Sequence, residues 1–147
     1  MKLHAPIFAI LVLTAFGGRA SLAIDNPDVP DFVGAFEVQC AQYESKVRTA
    51  SDTNKITEAY GSYMTFLDRE LNKAYEGLLK HVSGDARETL VTSERKWIQY
   101  RDSEDAFIIA NWNVQNFGTS SAISRSDYRA DIVKQRVVTL LHYLKNY

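Results

Sequence analysis

Acidic and basic residues recur at helical spacing between Glu94 and Ile108, and they are the side chains of this sequence best suited to chemistry. At about 100° per residue, Glu94, Trp97, Arg101, Asp105 and Ile108 share one side of a helix. Carboxylates on this face could transfer protons as a general acid or base. Because an unpaired charge is costly to bury, each of these ionisable groups needs a partner.

Two interpretations of this charged face are open. In the first, Glu94, Asp102 or Asp105 does acid–base work. In the second, the charges form a buried ion-pair network that fixes the register of the helices, with Arg101 paired to Asp105 four residues further on. A carboxylate beside an arginine is held ionised, which suits a salt bridge better than a general acid. We therefore favour the ion-pair network.

Further partners for this network lie on two other predicted helices. Arg136 stands between Val133 and Leu140, on the inner side of the last helix. Asp68 and Glu70 flank the apolar stripe of the second helix, and from there they could reach the arginines of the other helices. The network would then join three helices.

Other catalytic patterns are missing from the sequence. It contains no GxSxG, HExxH, P-loop, GxGxxG or CxxC motif. His81 and His142, the histidines beyond the N-terminal segment, each lie near a predicted helix end. Cys40 is the only cysteine and falls on the apolar stripe of the first helix, so we favour burial over an intermolecular disulfide. The sequence predicts a protein that is not an enzyme and has no cofactor or metal.

Apolar periodicity predicts an all-α fold, an antiparallel bundle of about four helices, two of them long. The first stripe runs from Phe32 to Val47. The second, which is the strongest, has spacings of three and four residues and consists of Ile56, Tyr60, Met64, Leu67, Leu71, Tyr75, Leu78 and Val82. A capping box at 85–88 starts the third helix. Residues 111–126 form a loop, and Ser126-Asp127 caps the last helix.

The N-terminus has the form of a secretory signal peptide. A basic start precedes an apolar run at 5–16, and small residues permit cleavage after Ala23, with Ala20 as a second possible site. An uncleaved anchor is the alternative, but the run is too short to span a bilayer as a helix. Removing residues 1–23, with Lys2 and Arg19, shifts the formal net charge from −1 to −3.

The remaining residues, 24–147, are then one periplasmic or secreted domain without a stable membrane span. Their charge gives no footprint for nucleic acid, because such binding uses a concentration of basic side chains on one surface. A mildly acidic domain could contact a basic protein, although a charge of this size does not by itself identify the partner.

Three motifs resemble the signature of the lysozyme inhibitor LprI-like family of small secreted bacterial proteins, over roughly 52–144. They are carried by Asp68, Leu71, Asn72 and Tyr75, by Trp97, Tyr100, Arg101 and Asp102, and by Arg136. The resemblance implies that these residues hold a helical bundle together. It also implies cysteine pairs between helices, which this sequence lacks: Ser103-Glu104-Asp105 stands where one cysteine is usual. An ion pair and an aromatic core would have to compensate.

The activity that the resemblance implies is binding and inhibition of lysozyme. The candidate partner-binding loop is 111–121, with Trp112, Asn113, Gln115, Asn116 and Phe117, which combines aromatic anchors with adaptable amides. The alternative is an ordinary connector with both aromatic rings turned inward. The leading hypothesis is an exported, non-enzymatic binding protein with a lysozyme or another cell-wall hydrolase as protein partner. The alternative hypothesis is a structural or assembly factor of the cell envelope.

Overall fold

Five α-helices make up residues 28–147, which is the part of the chain that the computed structural model describes. They are α1 (Phe32–Thr49), α2 (Thr53–His81), α3 (Gly84–Asn111), the short α4 (Val114–Phe117) and α5 (Ser121–Leu144). The described range contains no strand, and the predicted all-α class is confirmed. Every helix in this range is too short or too polar to span a membrane. The predicted signal peptide, residues 1–23, lies outside the described residues.

Helix α2 is the centre of the bundle, and it packs mainly on α5 and next on α1. Its predicted stripe is wider in the structure than in the sequence pattern. Tyr63, Phe66 and Ala74 are buried beside the predicted residues Leu67 and Leu71. The additional row is buried because α2 has a neighbour on each of two sides, whereas a single seam needs one row of apolar residues.

Helix α1 joins the core through an aromatic stack. The ring of Phe66 on α2 lies 5.8 Å from that of Phe36 and 4.6 Å from that of Tyr43. Cys40 lies on the same face of α1 and is fully buried, which confirms the burial expected for this residue. Burial also raises the pKa of the Cys40 thiol, because the thiolate would lose its hydration.

The predicted start of α3 is wrong, because the helix begins at Gly84, before the predicted capping box at 85–88. The N-cap is Ser83, so Asp85 lies in the first turn and does not cap the helix. Gly84 has φ of +54°, a left-handed conformation that glycine adopts at little cost and that turns the chain sharply out of α2.

The predicted long loop at 111–126 is also wrong. Helix α4 occupies part of it, and α5 begins at Ser121, not at Ser126-Asp127. Ser126 lies inside α5, where its hydroxyl donates to the carbonyl of Ala122. The polar composition of this segment gave no helical pattern in the sequence. The helix forms because Ser121 is buried and Ile123 packs against the core, and this packing overrides a weak local preference.

A polar clamp joins α1 to α5 at the edge of the core. Lys134 Nζ lies 2.9 Å from Glu37 Oε2 and 3.0 Å from Glu44 Oε1. The hydroxyl of Tyr63 also donates to Glu44, at 3.1 Å. The hydrogen bond from Lys134 holds the pKa of the Glu44 carboxyl below its ordinary value. The ionised form of Glu44 therefore stabilises the contact between the two helices.

We expect Glu44→Gln to lower the free energy of unfolding near neutral pH by about 0.5–1 kcal/mol, a modest effect because the side chain is partly solvated. The contribution is complete above the ordinary value of 4.5 and is lost as the pH falls through the lower pKa of the folded state. Urea denaturation near pH 7 and near pH 3 measures it, and the difference between variant and parent should be smaller at the lower pH. Glu58→Gln, at an exposed position of α2, is the control. An equal loss at both pH values would contradict the expectation.

Candidate functional site

The buried ion pair of Glu94 and Arg136 fixes α3 on α5. Arg136 donates from Nη2 and Nε to Glu94 Oε2 at 2.7 and 3.1 Å. The two side chains are only 11% and 10% exposed, so the charges are mostly removed from water. Trp97 adds a second contact, since the guanidinium groups of Arg136 and Arg101 lie 5.8 and 5.5 Å from its ring centre. The predicted role of Glu94 and Arg136 in a buried network agrees with this geometry.

The predicted pair of Arg101 and Asp105 is wrong. Arg101 pairs with its neighbour Asp102, at 2.9 Å, and Asp105 pairs with Arg129 of α5. The reason is the packing of α3 on α5, which brings Arg129 within reach of Asp105. Within residues 28–147 Asp68 forms no ion pair, and Glu70 pairs with Arg69 and Lys73 of its own helix. Neither acid therefore reaches an arginine of another helix, contrary to the expectation.

These charges border a cleft of about 420 Å³ between α2, α3 and α5, which we call the charged cleft. It opens because α3 packs on α5 and leaves space beside α2. Its polar lining is formed by Asp68, Arg101, Asp102, Asp105 and Arg129, and its apolar lining by Met64, Ile132 and Val133. Asp68 of the first motif thus meets Arg101 and Asp102 of the second motif in one cleft.

The other motif residues take different positions. Leu71 is buried in the core and Tyr75 packs partly against it. Asn72 is exposed, and Tyr100 has half of its surface, 52%, in solvent. The residues of the three motifs therefore do not all lie inside the bundle. Some pack in the core, some form ion pairs between helices, and some face solvent.

A cluster of aromatic rings lies where α3, α4 and α5 meet, and we call its four residues, Phe107, Trp112, Phe117 and Tyr128, the aromatic tip. The ring of Trp112 is central, at 4.6 Å from Tyr128, 5.7 Å from Phe107 and 6.2 Å from Phe117. Its three neighbours are 40%, 56% and 50% exposed, in the same order. Trp112 itself is partly buried among them. The alternative in which both rings turn inward is therefore wrong, since Phe117 remains exposed.

The amides of the predicted loop organise its backbone. The side chain of Asn113 caps α4 by accepting from the backbone N–H of Asn116, at 2.9 Å. Asn116 donates to the carbonyl of Asn111, and Arg125 of α5 donates to the carbonyl of Trp112 at 2.6 Å. Gln115 is exposed. The hydrogen bonds fix the segment against the start of α5, so it is an ordered element with polar side chains around the rings.

Two members of the aromatic tip were missed in the sequence. Phe107 precedes the predicted loop, and Tyr128 lies beside the expected start of the last helix. A usable signal for Phe107 was its place in the last turns before the predicted loop, where the end of a helix lets the following Trp112 fold back. Within a continuous helix, five residues would place the two rings about 140° apart. Tyr128 had no comparable signal, because its place beside Trp112 depends on where α5 begins and how it packs.

The fold and these sites define a small all-α domain whose conspicuous features are an ion-paired cleft and an exposed aromatic cluster. The model of the lysozyme inhibitor LprI family matches residues 44–140, and the chain belongs to this family. The match runs from the end of α1 into α5, so it includes the Glu94–Arg136 pair, the charged cleft and the aromatic tip. No match was found among curated proteins or solved structures.

We expect Arg136→Met to lower the free energy of unfolding by about 3 kcal/mol or more, because it leaves Glu94 buried and unpaired. The double variant Glu94→Leu, Arg136→Met should lose less than the sum of its single variants, since removing both charges removes that penalty. Urea denaturation followed by helical circular dichroism measures these changes.

The control for the buried pair is Lys73→Met, which breaks an ion pair with Glu70 in which the lysine side chain is 76% exposed. This variant should cost less than about 1 kcal/mol. Additive losses in the double variant would show that Glu94 and Arg136 do not act as a coupled pair.

Proposed function

We propose that the protein is an exported, non-enzymatic binding protein that inhibits a lysozyme or a related peptidoglycan hydrolase, with the aromatic tip as its contact surface. Membership of the lysozyme inhibitor LprI family supports the activity. The observation that carries the choice of surface is the exposure of three large rings, Phe107, Phe117 and Tyr128, around a fourth that holds them in place. A signal peptide at 1–23, one domain at 24–147 and a periplasmic or secreted location belong to the same proposal.

The aromatic tip has the properties of a protein-binding surface. Aromatic residues are enriched in the centres of interfaces, where a few of them supply most of the binding free energy. Ring contacts with Trp112 and the hydrogen bond from Arg125 hold the rings in place before binding, so little conformational entropy remains to be lost. Gln115 and Asn116 are exposed between Trp112 and Phe117 in the sequence and supply polar groups for a solvated rim.

The carboxylates considered for catalysis are all paired with arginines. Glu94 is buried against Arg136, and Asp102 and Asp105 pair with Arg101 and Arg129. Each of these carboxylates accepts a charge-assisted hydrogen bond from its arginine and is thus engaged in a structural contact. The arrangement thus supports a binding role in preference to an envelope hydrolase.

The alternative role, a structural or assembly factor of the cell envelope, gains no support from Cys40. A dimer linked through this residue would need an accessible thiolate. Cys40 is instead fully buried between α1 and α2, and burial raises the pKa of its thiol. Forming the disulfide would require α1 to leave the core, so we place this role second.

The test is a lysis assay of peptidoglycan suspensions with lysozymes of several structural types, with and without the purified protein lacking residues 1–23. We expect stoichiometric inhibition of at least one type. Phe117→Ala should weaken inhibition at least about tenfold, the effect of losing one interfacial anchor. Trp112→Ala, Phe117→Ala should abolish it, with helical circular dichroism confirming that the variant is folded.

The matched control is Tyr143→Ala, which removes a ring of similar exposure, 51%, near the C-terminal end of α5. It should leave inhibition unchanged. Loss of inhibition with Tyr143→Ala but not with Phe117→Ala would place the contact surface elsewhere. Absence of inhibition for every lysozyme type at about 10 μM, a concentration that detects micromolar affinity, would refute the inhibitor role itself.

A further inference from the structure

Helix α3 is much less buried than the other two long helices of the bundle. Of its 28 residues only Glu94 and Ile108 are buried, whereas α2 buries seven residues of 29 and α5 five of 24. Within residues 28–147, the buried residues that form the hydrophobic core come from α1, α2 and α5, and α3 adds only the partly buried Leu90 and Trp97. Because burial of apolar surface is the main source of cohesion, α3 is the long helix that costs least to release.

A glycine in a left-handed conformation stands at each end of the segment that contains α3 and α4. Gly84 has φ of +54° at the start of α3, and Gly118 has φ of +68° directly after α4. A Cβ atom at either position would meet open space, so no neighbouring group obstructs a rotation there. Such residues can absorb a change of φ and ψ at little cost. The segment 84–117, which we call the flap, therefore lies between two hinge positions.

The ion pairs between α3 and α5 set the position of the flap but resist its release only weakly. Arg136 donates to the buried Glu94 at 2.7 Å, and Arg129 donates to Asp105, whose side chain is 38% exposed. Release returns all four side chains to water, and their hydration offsets much of the attraction that is lost. The more solvated pair contributes little even in the closed state.

The remaining polar contacts of the flap lie at its ends. Arg87, near the start of α3, donates to the carbonyl of Leu79 at 2.5 Å, and Arg125 of α5 donates to the carbonyl of Trp112 at 2.6 Å. The ring of Tyr128 on α5 also lies 4.6 Å from that of Trp112. The aromatic tip is therefore divided, because three of its rings belong to the flap and the fourth, Tyr128, belongs to α5.

We propose that the flap opens from α2 and α5 as one unit, at a lower free energy than the whole protein unfolds, and that this opening takes the aromatic tip apart. The core of α1, α2 and α5 remains closed, since its buried residues do not come from α3. A released helix keeps little protection from exchange, because isolated helices in water open and close rapidly. The opening is independent of the proposed function, and only its effect on inhibition rests on that function.

The experiment is native-state hydrogen exchange of the purified protein lacking residues 1–23, followed for each backbone amide by NMR at low concentrations of urea. The amides at 88–108 should share one opening equilibrium, with protection factors at least about tenfold below those of the most protected amides of α2 and α5. Their exchange should accelerate with urea less steeply than that of α2, because the opening exposes less surface than global unfolding. Equal protection in all three helices would overturn the proposal, and so would urea-independent exchange of α3, which indicates fraying alone.

Glu94→Gln should accelerate the exchange of α3 at least about tenfold, because Arg136 is left without its counter-charge in the closed state and is hydrated in the open state. The matched variant is Glu44→Gln, which breaks the clamp between α1 and α5, a contact that the opening leaves intact. It should accelerate the slowest amides of α2 about two- to fivefold and leave α3 unchanged. A parallel acceleration of both helices by Glu44→Gln would show that α3 is released only by global unfolding.

Tyr128→Ala tests whether the aromatic tip moves with the flap. It removes a ring contact that exists only in the closed state, so the exchange of α3 should accelerate about two- to tenfold. Tyr143→Ala, which removes a ring of α5 that is 51% exposed, should leave it unchanged. The same exchange of α3 in both variants would contradict the coupling of the tip to the flap.

The exchange experiment contains no lysozyme, so its outcome is independent of the lysis assay. A flap that opens as a unit in a protein that inhibits no lysozyme would support this inference and refute the proposed function. An inhibitor whose three long helices exchange alike would do the reverse.

Discussion

The ion pair of Glu94 and Arg136 is the interaction on which the arrangement of this protein depends. Helix α3 has 28 residues, yet only Glu94 and Ile108 are buried on it, so apolar packing alone holds it weakly to the bundle. A desolvated charge pair with fixed geometry, together with Trp97, sets the register of α3 on α5. The charged cleft and the aromatic tip both include residues of α3, so their shapes follow from this register.

A helix held by a few polar contacts leaves space that a well-packed helix would fill. The charged cleft is this space, and the Asp105–Arg129 pair keeps its walls in place. At the end of α3 the same loose packing leaves rings such as Phe107 in solvent, with Trp112 holding them together. Limited burial of α3 thus accounts for the cleft and for the aromatic tip. It also means that binding surfaces are obtained at some cost in stability.

Ion pairs connect the helices of this protein, where the resemblance to the family leads one to expect disulfides. With Cys40 as its only cysteine, the chain can form no internal disulfide. The connections between helices are instead Glu94–Arg136, Asp105–Arg129 and the clamp of Lys134 on Glu37 and Glu44. The pKa of the Glu44 carboxyl is held below its ordinary value, so the clamp is lost when acid protonates this group, as a disulfide would not be. The aromatic stack of α1 on α2 and the apolar core between α2 and α5 supply cohesion that does not depend on pH.

The sequence by itself determined the helices with strong periodicity, the burial of Cys40 and the place of Glu94 and Arg136 in a buried charged network, because apolar spacing and unpaired charges constrain any fold that buries them. Only the tertiary structure decided which charges pair. Arg101 and Asp105 suit each other on an isolated helix, but a guanidinium from α5 lies nearer to Asp105. The start of α5 at Ser121 likewise depends on tertiary packing, since Ser121 is buried and local preference alone does not favour a helix there. Local patterns specify which groups need partners, and the packing of distant helices chooses those partners.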